Sequence, residues 1–195
     1  MTRSIEFADG EYYHIFNRGT EKRNIFRHNR DRERFLAGLY AANATAKIHI
    51  SDCQGSTLTS VLQKDRGETL VDVCAYTLMP NHFHLLLREK SAGGISLFMQ
   101  KLLTGYTMYF NLINKRSGAL FQGKYKASHV DNDRYLKYLI SYIHLNPISL
   151  VEPEWTKNGI QDFARAEHYL DEFAFSSYFL FSSRPEKPPS NGLTT

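Results

Sequence analysis

Residues 71–88 read VDVCAYTLMPNHFHLLLR. The run 71–78 is β-branched and aromatic, the composition of a strand. Met79-Pro80-Asn81 is a turn, because proline removes a donor from the ladder. Residues 82–88 form a second apolar run, so the two together predict a hairpin. A strand has a two-residue period, which puts His82 and His84 on one face about 7 Å apart and turns Phe83 the other way into packing. Two imidazoles at that spacing can converge on one ion. The plainer alternative is two half-buried histidines that bind nothing.

Upstream, residues 12–17 (YYHIFN) alternate like a strand, and Asn17-Arg18-Gly19-Thr20 breaks the run. Residues 31–42 predict a helix with Phe35, Leu36, Leu39 and Tyr40 on one face, and 47–51 a short strand. The polar stretch 52–69 reads as a loop or small excursion. Downstream, 95–114 predict a helix with a stripe of Phe98, Leu102, Tyr106, Tyr109 and Ile113, closed by Lys115, Arg116 and Gly118. Residues 120–130 are mixed. Asp131-Asn132-Asp133 supplies N-cap chemistry for a helix running to about Asn146, where Pro147 ends it. Strands joined by short connections and interleaved with helices predict an α+β fold, an antiparallel sheet covered by helices.

The bulk properties agree. The 195 residues are 42% hydrophobic and 23% charged, in the range of a globular, core-bearing domain. One domain is expected over 1–182, with 183–195 (SRPEKPPSNGLTT) a disordered tail. No apolar run approaches the ~18 residues of a membrane span, and the N-terminus lacks a secretory core, so the expected location is cytoplasmic, with no membrane partner. Cys53 and Cys74 are too few for a disulfide framework or a four-thiolate zinc site. The net charge is +4 and the isoelectric point about 9.0, which permits a nucleic-acid partner without requiring one. Charge is concentrated at Arg18, Lys22, Arg23, Arg27, Arg30, Arg32 and Arg34, against only Glu21, Asp31 and Glu33 in the same stretch. A solvated loop and helix face would look the same.

Residues 134–147, RYLKYLISYIHLNP, place Tyr135, Tyr138, Leu139, Tyr142, Leu145 and Asn146 on one helical stripe, with Lys137, Ser141 and His144 opposite. The stripe is expected to face the protein body. Tyr142 and Asn146 are four apart and stack. Beside a two-histidine metal site they would make a nucleophile and an oxygen ligand. Otherwise they are a core aromatic and a helix cap.

MPNHFHLLL at 79–87, followed by YLKYLISYIHLNP at 135–147, resembles the single-tyrosine HUH transposases (IS200-like), in particular the REP-associated tyrosine transposase branch. YYHIF with the Asn17-Arg18-Gly19 turn, LFQGKYKAS at 120–128 and Phe175-Ser176-Ser177-Tyr178 fit the same pattern, which covers about 11–179. The two main motifs are specific in this order and spacing, although neither is alone. The late motif departs in lacking a tryptophan near Phe175.

The resemblance implies a ferredoxin-like, RRM-like sheet with helices on one face. It implies His82 and His84 as metal ligands, Tyr142 as nucleophile and Asn146 as the polar residue completing the metal shell. The expected activity is that of a transposase, a DNA strand transferase with single-strand endonuclease activity. It would cleave and rejoin single-stranded or hairpin DNA through a 5′-phosphotyrosine. Two imidazoles and an amide oxygen with open positions suit Mg²⁺ or Mn²⁺ and lack the closed four-ligand set of a structural zinc. DNA contact is expected from Arg18, Lys22 and Arg23, and from Lys124, Tyr125 and Lys126, where an aromatic between cations suits a stacked base. The chain would act as a monomer or homodimer. The rivals are a domesticated, non-catalytic DNA-binding regulator, a replication-type nicking enzyme and a small-molecule metallohydrolase. Tyr135, Tyr138, Tyr106 and Tyr109 compete with Tyr142 for the nucleophile, but only Tyr142 has the asparagine one turn later.

Overall fold

The hairpin forms as β2 (Val71–Met79) and β3 (His82–Glu89), joined at Pro80-Asn81. The computed structural model describes residues 5–181; the tail expected at 183–195 lies outside them. β1 (Tyr12–Arg18) pairs with the far side of β3, and β4 (Lys126–Val130) with the far side of β1. The order is β2-β3-β1-β4, antiparallel throughout. With α1 (Asn29–Ala42) between β1 and β2, and α3 (Gly94–Ile113) between β3 and β4, the chain traces the ferredoxin-like βαββαβ pattern.

Side-chain alternation divides the sheet into two faces. Tyr13, Ile15, Phe83, Leu85 and Leu87 point to one side, where they join Phe35 and Leu39 of α1 and Phe98, Leu102, Tyr106 and Phe110 of α3 in the main core. The other face carries a second helical layer. α4 (Asp133–Leu145) lies across it, with Leu139 and Ile143 packed on Ala75, Leu86 and Val130. The sheet is therefore covered on both faces, not on one as the resemblance implied. β2 serves both cores because Cys74 is an extra residue between the pairs Val73–Leu87 and Ala75–Leu86. That bulge shifts the alternation by one, so Val73 and Tyr76 both reach the main core while Ala75 turns to α4.

Several expectations are corrected. Residues 47–51 form no strand. Ile48 and Ile50 instead pack in the small cluster of Ala37, Ala41 and Val61 beside α1. The 52–69 excursion contains a short helix, α2 (Leu58–Leu62). The α3 stripe ends on buried Phe110, leaving Ile113 exposed. On α4 the buried arc centres on Leu139 and Ile143, so Tyr138 is 62% exposed and His144 is buried. His144 was expected outside because the wheel considers only the sheet. The C-terminal segment, α5 (Trp155–Asn158), α6 (Phe163–Glu172) and α7 (Tyr178–Phe181), returns over that flank. His144 Nε2 lies 2.8 Å from Ser177 Oγ, and its ring packs on Phe181. No helix among the described residues is long and apolar enough to cross a membrane.

The β3–α3 junction is held by a buried carboxylate. Glu89, fully buried at the end of β3, accepts the Ile95 N–H at 2.8 Å and, at 3.0 Å, the Gly94 N–H that is shared with the Ser91 carbonyl, and so caps the α3 N-terminus. Glycine is required at 94, since a Cβ would collide with the Leu70 carbonyl oxygen. Glu89→Ala is expected to cost roughly 3 kcal/mol in denaturant unfolding, and Glu89→Gln, which keeps one acceptor oxygen, clearly less. Equal losses would refute the capping role.

Candidate active site

The strand period and the β1–β3 register assemble the site on the α4 face. His82 and His84 project there from β3, with ring centroids 5.0 Å apart and planes at 87°. α4 brings Tyr142 over them. Its ring centroid lies 5.6 Å from that of His84 and 6.4 Å from that of His14. Asn146, one turn later and buried, places its side-chain amide near enough to His82 and Tyr142 to bear on the titration of both. The four residues singled out by sequence thus meet in one place.

The hydrogen bonds specify which nitrogens are free. Asn81 Nδ2 donates to the Lys22 carbonyl at 3.2 Å, which turns Asn81 Oδ1 toward His82 Nδ1 at 2.7 Å. An amide oxygen can only accept, so His82 carries its proton on Nδ1 and keeps a lone pair on Nε2. Asn81 is itself held by the loop that follows β1. Gly19 N–H donates to the Asn81 carbonyl, and a Cβ at Gly19 would strike the Arg23 carbonyl oxygen.

The imidazoles are kept neutral. Burial lowers the His82 pKa to about 4, helped by nearby Arg18 and opposed by Asn146. Burial holds His84 well below the usual histidine range, and the neighbouring His82 and His14 rings add to this. Burial raises the Tyr142 phenol, the Asn146 hydrogen bond opposing it and Tyr138 adding to it. Tyr142 therefore rests protonated, and a nearby positive charge is what would make it a better nucleophile.

These groups suit a divalent cation of open coordination: two neutral imidazoles, one with its Nε2 lone pair free, and an amide beside the phenol. Among the described residues no group of three or more His, Cys, Asp or Glu is arranged to hold a metal ion. A closed structural zinc site is thus not what these residues make.

The Transposase IS200 like family profile matches residues 9–146, from just ahead of β1 to Asn146 itself. The chain belongs to the IS200-like transposase family. A solved structure of a REP-associated tyrosine transposase bound to a REP hairpin is similar to it, with a TM-score of 0.59 at 11% identity, over 96% of this chain and 88% of that one. At that identity the likeness speaks for the fold. No curated protein matches the chain. As a member of this family, the protein is a DNA-processing enzyme of the transposase class.

Within the transposase, the rival tyrosines are placed elsewhere. Tyr106 and Tyr109 lie on the α1/α3 side of the sheet, where their hydroxyls donate to the Ile25 carbonyl and to Asp31. Tyr135 and Tyr138 continue a stacked ladder from Tyr142, with 6.3 Å between successive centroids, leading away toward solvent. Of the basic candidates, two flank the site. Arg18 is exposed and pairs in register with His82. Lys126 is exposed, with Nζ 6.0 Å from the centroid of Phe16, whose ring stacks on His84. Lys22 and Lys124 are exposed. Arg23 is already engaged by the Thr20 carbonyl and Glu21. Tyr125 packs half-buried against the main core, and so does not stand free between the two lysines.

Two neighbours of the site were missed. Trp155 of α5 lies 6.5 Å from Tyr142, ring to ring, and nothing in the local sequence signals it. His14 lies against His84, and the alternation of YYHIF could have found it. His14 shares a phase with Tyr12 and Phe16, opposite to the core residues Tyr13 and Ile15.

Burial also makes the fold pH-sensitive. His14, His82 and His144 are lowered to about 4, and His84 is lowered too. The unfolded chain takes up these protons near pH 6.5, the native state only at lower pH, near 4 for His14, His82 and His144. Stability is therefore complete above about 6.5 and falls as the pH drops through that window, by up to about 1.4 kcal/mol per pH unit for each histidine. Denaturant titrations at about pH 7.5 and about pH 5 should show the loss; equal midpoints would contradict the buried-imidazole description.

Proposed function

We propose that this transposase cleaves and rejoins single-stranded or hairpin DNA with Tyr142 as its nucleophile. The observation that carries the proposal is the packing of the Tyr142 ring against His84, itself 5.0 Å from His82 ring to ring, with the Asn146 amide close to both His82 and Tyr142. The Tyr142 hydroxyl oxygen attacks the scissile phosphorus. The phosphorus–oxygen bond to the upstream nucleotide breaks, and that nucleotide leaves with a free 3′-hydroxyl. The phenol proton is lost, and the leaving oxygen takes one up. The product is a 5′-phosphotyrosine ester, which stores the bond so that a 3′-hydroxyl can attack it and rejoin strands without an energy source.

His82, His84 and Asn146 would hold a divalent ion, Mg²⁺ or Mn²⁺, which when bound supplies Lewis-acid polarisation of the phosphate. Neutral imidazoles leave that charge uncancelled. Asn146 orients the phenol oxygen, and α4 keeps the tyrosine on a rigid element. Arg18 and Lys126, on either side of the histidines, would hold the strand by its phosphates. The solved relative bound to a REP hairpin supports a hairpin substrate for this chain as well.

The test is to incubate the protein with Mn²⁺ and single-stranded DNA from the flanks of its own gene. A covalent protein–DNA adduct should appear on denaturing gels, and Tyr142→Phe should reduce it by a factor of at least about 10³. Cleavage that survives this substitution would remove Tyr142 from its role. Hairpin binding without any adduct would instead mark a non-catalytic DNA-binding regulator.

Substitution of the flanking cations separates binding from chemistry. Arg18→Ala or Lys126→Ala should weaken DNA binding and lower the salt slope by about one each. Adduct yield should recover at saturating DNA. Unchanged salt dependence would place the strand elsewhere.

A further inference from the structure

His14 lies on β1, where register places it opposite Leu86 and one same-face step from Phe16, the partner of His84. Its Nε2 is 2.8 Å from His84 Nδ1, the two rings are within 18° of parallel, and both residues are buried. Nothing in the mechanism above uses it.

We infer that His14 is a positioning residue, the acceptor that holds His84 in the tautomer a metal ligand needs. The inference rests on the metal reading of the site. Two neutral imidazoles that face each other through nitrogen share a single proton, so one donates and the other accepts. If His14 donates, His84 accepts on Nδ1 and its own proton sits on Nε2, where it blocks ligation. If His84 Nδ1–H donates to His14 Nε2, the His84 Nε2 lone pair is free. Only the second arrangement allows both histidines of the pair to bind one cation through Nε2, because Asn81 already imposes the same tautomer on His82. Metal-bound histidines generally have such an outer partner, which orients the ring and raises its basicity.

The two partners differ in kind. The Asn81 oxygen always accepts, whereas His14 can accept or donate, so the His14–His84 pair has two proton arrangements and cation binding selects one. The opposed geometry also argues against His14 as a third ligand. The nitrogen it would use is the one turned to His84, and no three-residue metal cluster is found among the described residues.

The experiment uses the full chain and titrates Mn²⁺, with free ion followed by electron paramagnetic resonance. His14→Leu fills the space without an acceptor and should weaken Mn²⁺ binding about 10- to 100-fold. His14→Gln places an amide oxygen near the position of Nε2 and should restore affinity to within a few-fold of wild type. A purely structural role would lower thermal stability without this rescue of affinity. Wild-type affinity in His14→Leu would overturn the positioning role. Loss in both variants as complete as in His84→Ala would make His14 a ligand and overturn it equally.

Should His14→Leu fail to fold, nitrogen-15 spectra of wild-type histidines with Mg²⁺ decide the matter. The His84 proton is expected on Nδ1, and a proton on Nε2 would refute the inference. A wild-type protein that binds no Mn²⁺ removes the metal reading itself, a result separable from all the others.

Discussion

The antiparallel pairing of β1 with β3 at the centre of the sheet is the constraint from which the site follows. Its register sets Ile15 beside Leu85 and Tyr13 beside Leu87 in the main core, and so leaves Phe16 beside His84 and Arg18 beside His82 on the opposite face. Because the period is two, a slip of one residue would carry the imidazoles into a core that offers them no partners and would bring Phe83 out to α4. The burial that makes this slip costly is contributed by residues far from any chemistry: Phe35 packs on Phe83, with centroids 5.1 Å apart, and α3 closes the layer.

A second layer was needed to convert two histidines on a sheet into an enclosed site. α4 provides it, and what holds α4 is apolar. Leu139 and Ile143 sit on Ala75, Leu86 and Val130, and Ala75 reaches them only because Cys74 bulges out of register. Tyr142 lies at the margin of that contact, half-buried, with the Asn146 amide near it and near His82. Packing thus fixes the helix, and the helix aims the phenol. The loop after β1 does a similar service for His82 through Gly19, Lys22 and Asn81.

Much of this was legible in the sequence. The β2–β3 hairpin, α1, α3 and α4 with its N-cap follow from periodicity and turn chemistry, and the family resemblance implied the meeting of His82, His84, Tyr142 and Asn146. What escaped depends on the third dimension. His144 looks solvent-facing on a wheel, but the returning chain at Ser177 and Phe181 covers it. Tyr125 between two lysines suggests a stacking platform, but strand alternation sends it into the core. Residues 47–51 have the composition of a strand and no strand to pair with. His14 is invisible as a site residue until the register with β3 is known.

The segment around Ser176 also does something for the sheet as a whole. Leu78 N–H donates to the Phe175 carbonyl, Ser177 N–H to the Tyr76 carbonyl, and Tyr76 N–H to Ser177 Oγ. These bonds cover the Tyr76–Leu78 part of the outer edge of β2, a sheet margin that would otherwise invite a foreign strand. The opposite margin, β4, is only five residues long. The returning chain thus shortens the open part of the β2 border, and a truncation before Phe175 would lengthen it again.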